Sequence, residues 1–251
     1  MQLRGKLFIV GIGPGSIDDM TVRAIDAIKK SEYVVGVDTY ISQIAPLLKD
    51  QIVIESMMGG EVQRAKKAVT LAEERHIVSI ISGGDPNVYG MGALVFEFIA
   101  ASSCDFDIEV IPGVTAVNAV GAVLGAPLSS DYAVISLSDL LIPWSEIEKR
   151  LGNAATSGFV IALYNPRSRN RPSQFSRCID ILRKYRRDVP VGIVKNGFRH
   201  GQEVIITTLN SVMDYEDTID MKTTVIIGHE ESYIWKRSIL TPRGYHNKYE
   251  Y

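Results

Sequence analysis

Glycine-rich turns that follow strand-like runs hold the residues whose types and spacing could do chemistry. Gly11-Ile12-Gly13-Pro14-Gly15 comes after the apolar run Leu7-Phe8-Ile9-Val10 and before a helical pattern. Glycines there permit positive φ and let a ligand lie close against the backbone. A dinucleotide fingerprint needs glycine at the sixth position, where Ser16 stands, and Pro14 removes a donor that a diphosphate would use. A second loop, Ser82-Gly83-Gly84-Asp85-Pro86-Asn87-Val88-Tyr89-Gly90-Met91-Gly92, follows the run at 77–81, and a third, Pro112-Gly113-Val114-Thr115-Ala116, follows the run at 108–111. Ligands of open α/β sheets bind at such strand ends. Asp85 by itself reads either as a ligand for hydroxyl or amino groups or as a cap on its own turn, and Thr115 as a helix cap. Asp38 stands after the run 33–37, where nicotinamide enzymes keep a ribose-binding acid. That reading leaves the Gly83 loop unexplained.

The elements that must position these loops alternate along the chain. A helical pattern through Val22, Ile25 and Ile28 separates the first two strands, with Ser16, Asp18, Asp19 and Thr21 as capping groups. A strand at 51–55, a helix at 61–75, the strand at 77–81, a helix at 90–101 and the strand at 108–111 complete a parallel α/β layer, because strands apolar on both faces suit a sheet covered by helices. After a small-residue helix at 115–124, fresh strands are predicted at 132–137, 158–164, 189–195, 203–208 and 223–227, with helices near 144–151 and 174–185. The turn 197–201 pairs the strand at 203–208 with its predecessor, so a mixed sheet is expected. The domains read as 1–114 and 115–251.

Composition narrows the function classes. The chain has 251 residues, 46% of them hydrophobic and 22% charged, with a formal charge of −2, which gives no footprint for nucleic acid. Cys104 and Cys178 form no CxxC pair and are expected as small buried hydrophobes in a reducing compartment. The histidines at 76, 200, 229 and 246 show no ligand spacing, so no protein metal site is expected. Neither a secretory signal pattern nor an apolar stretch of membrane-spanning length is present, and a cytoplasmic location is expected.

Together, Gly11-Ile12-Gly13-Pro14-Gly15, Gly83-Gly84-Asp85-Pro86 and Pro112-Gly113-Val114-Thr115-Ala116 resemble, in order and separation, the successive signatures of the tetrapyrrole (corrin/porphyrin) methylase family. Ala162-Leu163-Tyr164-Asn165-Pro166-Arg167-Ser168-Arg169 and Val194-Lys195-Asn196-Gly197 resemble its precorrin-3B and cobalt-factor III C17-methyltransferase branch. The similarity covers almost the whole chain and is least distinctive after about Gly228. It implies two α/β domains of the class III methyltransferase type, with the cofactor S-adenosylmethionine in the cleft between them, usually in a homodimer. Pro14, Gly83, Gly84, Asp85, Val88, Thr115, Ala116, Asn165 and Gly197 fall where relatives contact that cofactor or its product S-adenosylhomocysteine. The donor carries no phosphate, so a glycine loop containing Pro14 suits it.

The implied acceptor is a tetrapyrrole bearing many carboxylates, methylated at C17 with ring contraction in cobalamin biosynthesis. Arg167, Arg169, Lys195 and Arg199 are then the candidate cations for its carboxylates, with Arg171 beside them. Asp38, Tyr40, Tyr89, Lys195 and Glu203 could carry protons during contraction, Tyr89 and Lys195 being the first to test. Competing readings are a methylase for another tetrapyrrole position, a diphthine synthase-like methyltransferase, the nicotinamide oxidoreductase and a non-catalytic nucleotide sensor.

Overall fold

In a computed structural model, residues 4–101 and 105–250 are described, so Cys104 lies outside the described residues. Contacts divide the chain into two compact units, 1–116 and 117–251.

The first unit runs β1 (Lys6–Gly11), α1 (Val22–Lys30), β2 (Tyr33–Val37), α2 (Asp38–Ile44), β3 (Ile52–Ser56), α3 (Glu61–Glu73), β4 (Ile77–Ser82), α4 (Gly92–Ala100) and β5 (Asp107–Ile111). Its sheet is parallel throughout, in the order β3-β2-β4-β1-β5. β1 is an interior strand, between β4 and β5, which explains its unbroken apolar run. Leu7 and Ile9 enter one core with Ala68, Val78 and Ile80, while Phe8 and Val10 enter the other with Ala24, Ile28 and Val34. Successive side chains of a strand face opposite ways, so helices must cover both faces. Thr21 caps α1, its Oγ1 accepting the Ala24 N–H at 3.1 Å, and Lys29 and Lys30 sit at the helix end that favours cations. Ser16 caps a short 3-10 turn at Ile17–Asp19.

The second unit contains α5 (Ala116–Leu124, entering from the boundary), β6 (Gly125–Ala126), β7 (Tyr132–Ser136), α6 (Trp144–Thr156), β8 (Val160–Tyr164), α7 (Gln174–Leu182), β9 (Pro190–Lys195), β10 (Glu203–Thr208), β11 (Thr223–Ile227), β12 (Tyr233–Trp235) and β13 (Ser238–Leu240). Its main sheet has the order β10-β9-β11-β8-β7, with only β7 and β8 parallel. The β9–β10 hairpin and the mixed sheet therefore match the expectation from the sequence. Val117, Val120 and Leu124 of α5 pack on Val160, Ala162 and Val194, while Phe175 and Leu182 of α7 fill the opposite face with Ile161 and Leu163.

Three features depart from the expected elements, the first being helix α2, which lies between the expected strands at 33–37 and 51–55. α6 continues through Thr156 because Leu151, Ala154 and Ala155 keep its buried stripe going beyond the predicted end. A second sheet, β12-β13-β6, draws the segment after Gly228 onto Gly125 and Ala126, where no strand was expected. Its strands are too short to show a period. Cys178 is fully buried, and burial pushes its thiol far above the ordinary range. Among the described residues, no helix is long and apolar enough to cross a membrane, and no group of His, Cys, Asp and Glu is arranged to hold a metal.

Candidate functional site

The three glycine loops of the first unit leave the C-terminal ends of β1, β4 and β5, which are adjacent in the sheet. Gly13 and Gly84 form an antiparallel bridge. The Gly13 N–H donates to the Gly84 carbonyl at 3.2 Å, and the Gly84 N–H donates to the Gly13 carbonyl at 2.7 Å. Both have left-handed φ, +76° and +64°, which explains glycine at each. The third loop packs against the same strand ends. A Cβ on Gly113 would lie 2.1 Å from the Gly84 carbonyl oxygen, and one on Gly84 would lie 3.6 Å from the Thr115 Cα.

Asp85 binds the second loop to the third. Its Oδ1 accepts the Asn87 N–H at 2.8 Å and its Oδ2 accepts the Gly113 N–H at 3.1 Å. The capping role weighed from the sequence is therefore present, extended to a neighbouring loop. Val88 donates its N–H to the Asp85 carbonyl at 3.2 Å and is half-buried. Pro14 is buried and Ala116 half-buried. A Cβ on Gly83 would stand 2.5 Å from Cζ of Tyr40, whose ring comes from α2, so any larger residue there would push that ring aside. Tyr89 has φ +54° and is 54% exposed, a backbone conformation that an aromatic residue rarely takes. Asp38 opens α2, where its Oδ1 accepts the N–H of Thr39 at 2.6 Å and the Thr39 hydroxyl at 3.1 Å.

These loops contain no Lys or Arg. They offer backbone N–H and C=O groups, small side chains and one carboxylate, a donor set that fits an amino-acid and adenosine ligand without phosphate better than a diphosphate.

In the second unit, Asn165 follows β8 with φ +51°, and its Nδ2 donates to Ser136 Oγ at 3.0 Å. Beside it, the Tyr164 hydroxyl accepts the Val117 N–H at 2.7 Å, at the start of α5. A Cβ on Gly197 would touch Val120 at 3.3 Å, so packing alone favours a small residue there. Of the cations, Arg167 donates to the Glu216 carbonyl at 3.0 Å and pairs with the exposed Asp217 at 3.4 Å. Arg171 is tied to the carbonyls of Leu137 and Asn165 at 3.4 and 3.3 Å. Arg199 is engaged as well, whereas Arg169 is exposed and makes no side-chain hydrogen bond or ion pair among the described residues.

Lys195 pairs with Asp220 at 3.0 Å. That hydrogen bond, with the charges of Asp220 and Glu203, holds its ammonium above the ordinary lysine range. So placed, Lys195 is a cation held against a carboxylate at the end of β9. Glu203 lies directly opposite it in the β9–β10 ladder. Sequence reasoning missed Ser136 and Asp220, whose partners are distant along the chain. It could have found Tyr164, which closes a buried strand just before Asn165.

The chain belongs to the family of tetrapyrrole (corrin/porphyrin) methylases, which matches residues 6–212. Within that class it is 46% identical over 246 residues to the cobalamin biosynthesis protein CbiHC of Archaeoglobus fulgidus, covering 98% of this chain and 54% of that protein. It is 43% identical over 240 residues to a probable cobalt-factor III C(17)-methyltransferase of Salmonella typhimurium, covering 95% of this chain and 99% of that one. The chain thus spans about half the length of CbiHC and nearly all of the Salmonella protein. Among solved structures, the methyltransferase CobJ superposes with a TM-score of 0.90 at 32% identity, over 95% of this chain and 100% of that one.

Proposed function

We propose that this protein is an S-adenosylmethionine-dependent methyltransferase of cobalamin biosynthesis that methylates C17 of cobalt-factor III or precorrin-3B, with ring contraction. The observation that carries the reading is the mutual hydrogen bonding of Gly13 and Gly84, with Asp85 holding Gly113 beside them. It gathers the family's signatures at one edge of the sheet.

When bound, S-adenosylmethionine would supply an electrophilic methyl group on a sulfonium. Pro14, Gly83, Gly84, Asp85, Val88, Thr115 and Ala116 are the residues proposed to hold it. Asn165 and Gly197 join them on the family resemblance. The protein's contribution is alignment of donor and acceptor carbon and exclusion of water, since direct displacement at a sulfonium needs no protein nucleophile. Among the acceptor contacts, Arg169 is proposed to take a carboxylate directly, while Arg167, Lys195 and Arg199 contribute positive potential from paired positions. Tyr89 and Lys195 are the candidates to move a proton, at the phenolic oxygen and the side-chain nitrogen. The working form is proposed as a cytoplasmic homodimer, with residues 1–114 and 115–251 as its domains.

Incubation with methyl-labelled S-adenosylmethionine and either cobalt-factor III or precorrin-3B tests the reading. One labelled methyl at C17, located by mass and NMR, is the expected product. Transfer to neither acceptor rejects the assignment.

A further inference from the structure

Beyond β7 the chain forms a loop through Pro143 in which Leu140 and Leu141 are 83% and 91% exposed, more than any other large apolar side chain among the described residues. Exposed leucines are ordinary on a slack loop, but the residues leading into this pair, Leu137, Ser138 and Asp139, are each tied down. The Leu137 side chain is fully buried, and its N–H donates to the Tyr164 carbonyl at 2.9 Å. The Ser138 N–H donates to Ser136 Oγ at 3.2 Å. Asp139 Oδ2 accepts from Nε2 of the buried Gln174 at 3.0 Å. Arg171 then joins the loop to the segment after β8, because one guanidinium nitrogen donates to the carbonyls of both Leu137 and Asn165. The adjoining leucines are held out to solvent on a scaffold that also carries Arg169, exposed and without a side-chain partner among the described residues.

An exposed apolar pair on a loop that Arg171 ties to the segment bearing the Arg169 guanidinium complements a ligand with a flat apolar body and a rim of carboxylates. We propose that Leu140 and Leu141 form an apolar seat for the acceptor macrocycle, with Arg169 receiving one of its peripheral carboxylates. This inference rests on the tetrapyrrole acceptor assigned above. It predicts where that acceptor gains affinity. Leucine side chains do no chemistry, so the seat should act on acceptor binding and leave the methyl donor untouched.

The test compares the full-length wild type with the double variant Leu140→Ser/Leu141→Ser, its conservative counterpart Leu140→Met/Leu141→Met, and Arg169→Gln. Acceptor affinity is read by absorbance titration with cobalt-factor III, donor-site affinity by calorimetry with S-adenosylhomocysteine, and mass by light scattering. The serine variant should lose about tenfold or more in acceptor affinity, since two apolar side chains would no longer be covered by the ligand. S-adenosylhomocysteine affinity, melting temperature and mass should stay at wild-type values, and the methionine variant should recover the acceptor. Arg169→Gln should weaken the acceptor and reduce the salt dependence of its binding. Unchanged acceptor affinity in the serine variant overturns the seat, as does a parallel loss of S-adenosylhomocysteine binding or an altered mass. A wild type that binds the macrocycle without methylating it sinks the C17 assignment alone, and the affinity comparison still decides the seat. A wild type that fails to bind the macrocycle overturns both.

Discussion

Asp85 accepts the Gly113 N–H through one carboxylate oxygen at 3.1 Å while the other holds Asn87 at 2.8 Å, so a single side chain sets the spacing of two glycine loops. Asp85→Ala leaves both amides without that partner. A hydrogen bond to a charged group contributes about 1.5–3 kcal/mol, so S-adenosylhomocysteine affinity should fall at least about tenfold and the melting temperature by a few degrees. Asp85→Asn keeps one acceptor. If the carboxylate also touches the cofactor, calorimetry on the Asn variant will show a larger affinity loss than its small melting shift accounts for; equal effects would reduce Asp85 to a loop tie.

Gly113→Ala tests close packing rather than charge. The new methyl would stand 2.1 Å from the Gly84 carbonyl oxygen, and no flexible side chain is there to yield. The backbone must move and the Gly13–Gly84 bridge with it, at about 1–3 kcal/mol of strain. Binding of S-adenosylhomocysteine should be lost while the circular dichroism spectrum is kept. Wild-type binding in this variant would show that the third loop has no part in the site.

Tyr164→Phe removes the acceptor from the Val117 N–H and changes little else in volume. An orphaned, partly buried amide costs about 1–3 kcal/mol, and for a chain of this size that corresponds to a melting shift of roughly 2–4 °C per kcal/mol. Donor affinity should weaken too, because Val117 follows directly on Thr115 and Ala116. A variant that melts lower yet binds S-adenosylhomocysteine normally would confine Tyr164 to stability.

His229 sets an acid limit on the second unit. Burial holds its ring below the ordinary histidine value of 6.5 against the opposing charge of Glu231, with Arg186 adding to the depression, and Nδ1 accepts the Glu231 N–H at 2.9 Å. The unfolded chain therefore binds a proton more readily than the folded one. Stability from this group is present above 6.5 and is lost as pH falls from there through the depressed value. Denaturant melts between neutral and mildly acid pH should show the decline, and His229→Asn should flatten it. An equal slope in that variant would assign the acid sensitivity elsewhere.

Much of this arrangement was legible in the residues. β1 announces itself by four consecutive apolar side chains because both faces of an interior parallel strand are covered, and Gly13 and Gly84 by the positive φ that each turn demands. What escaped were relations that no spacing encodes. The ring of Tyr40 explains Gly83, Asp220 answers Lys195, and Ser136 orients Asn165, each reached only after the chain has folded. The short strands β12 and β13 were invisible for another reason. Three residues cannot display alternation, and their pairing with Gly125 and Ala126 depends on register alone.

That last pairing bears on how the chain is made. Residues 1–116 can complete their sheet while the ribosome is still extending the polypeptide, because every strand partner is already in hand. The second unit has no such freedom: β6 emerges early and waits for Ile239 and Leu240 before its edge is occupied. A long closure of this kind slows folding. During synthesis, the nascent chain should therefore gain protease resistance in two separate stages, with the later one arriving only after β13 has left the exit tunnel.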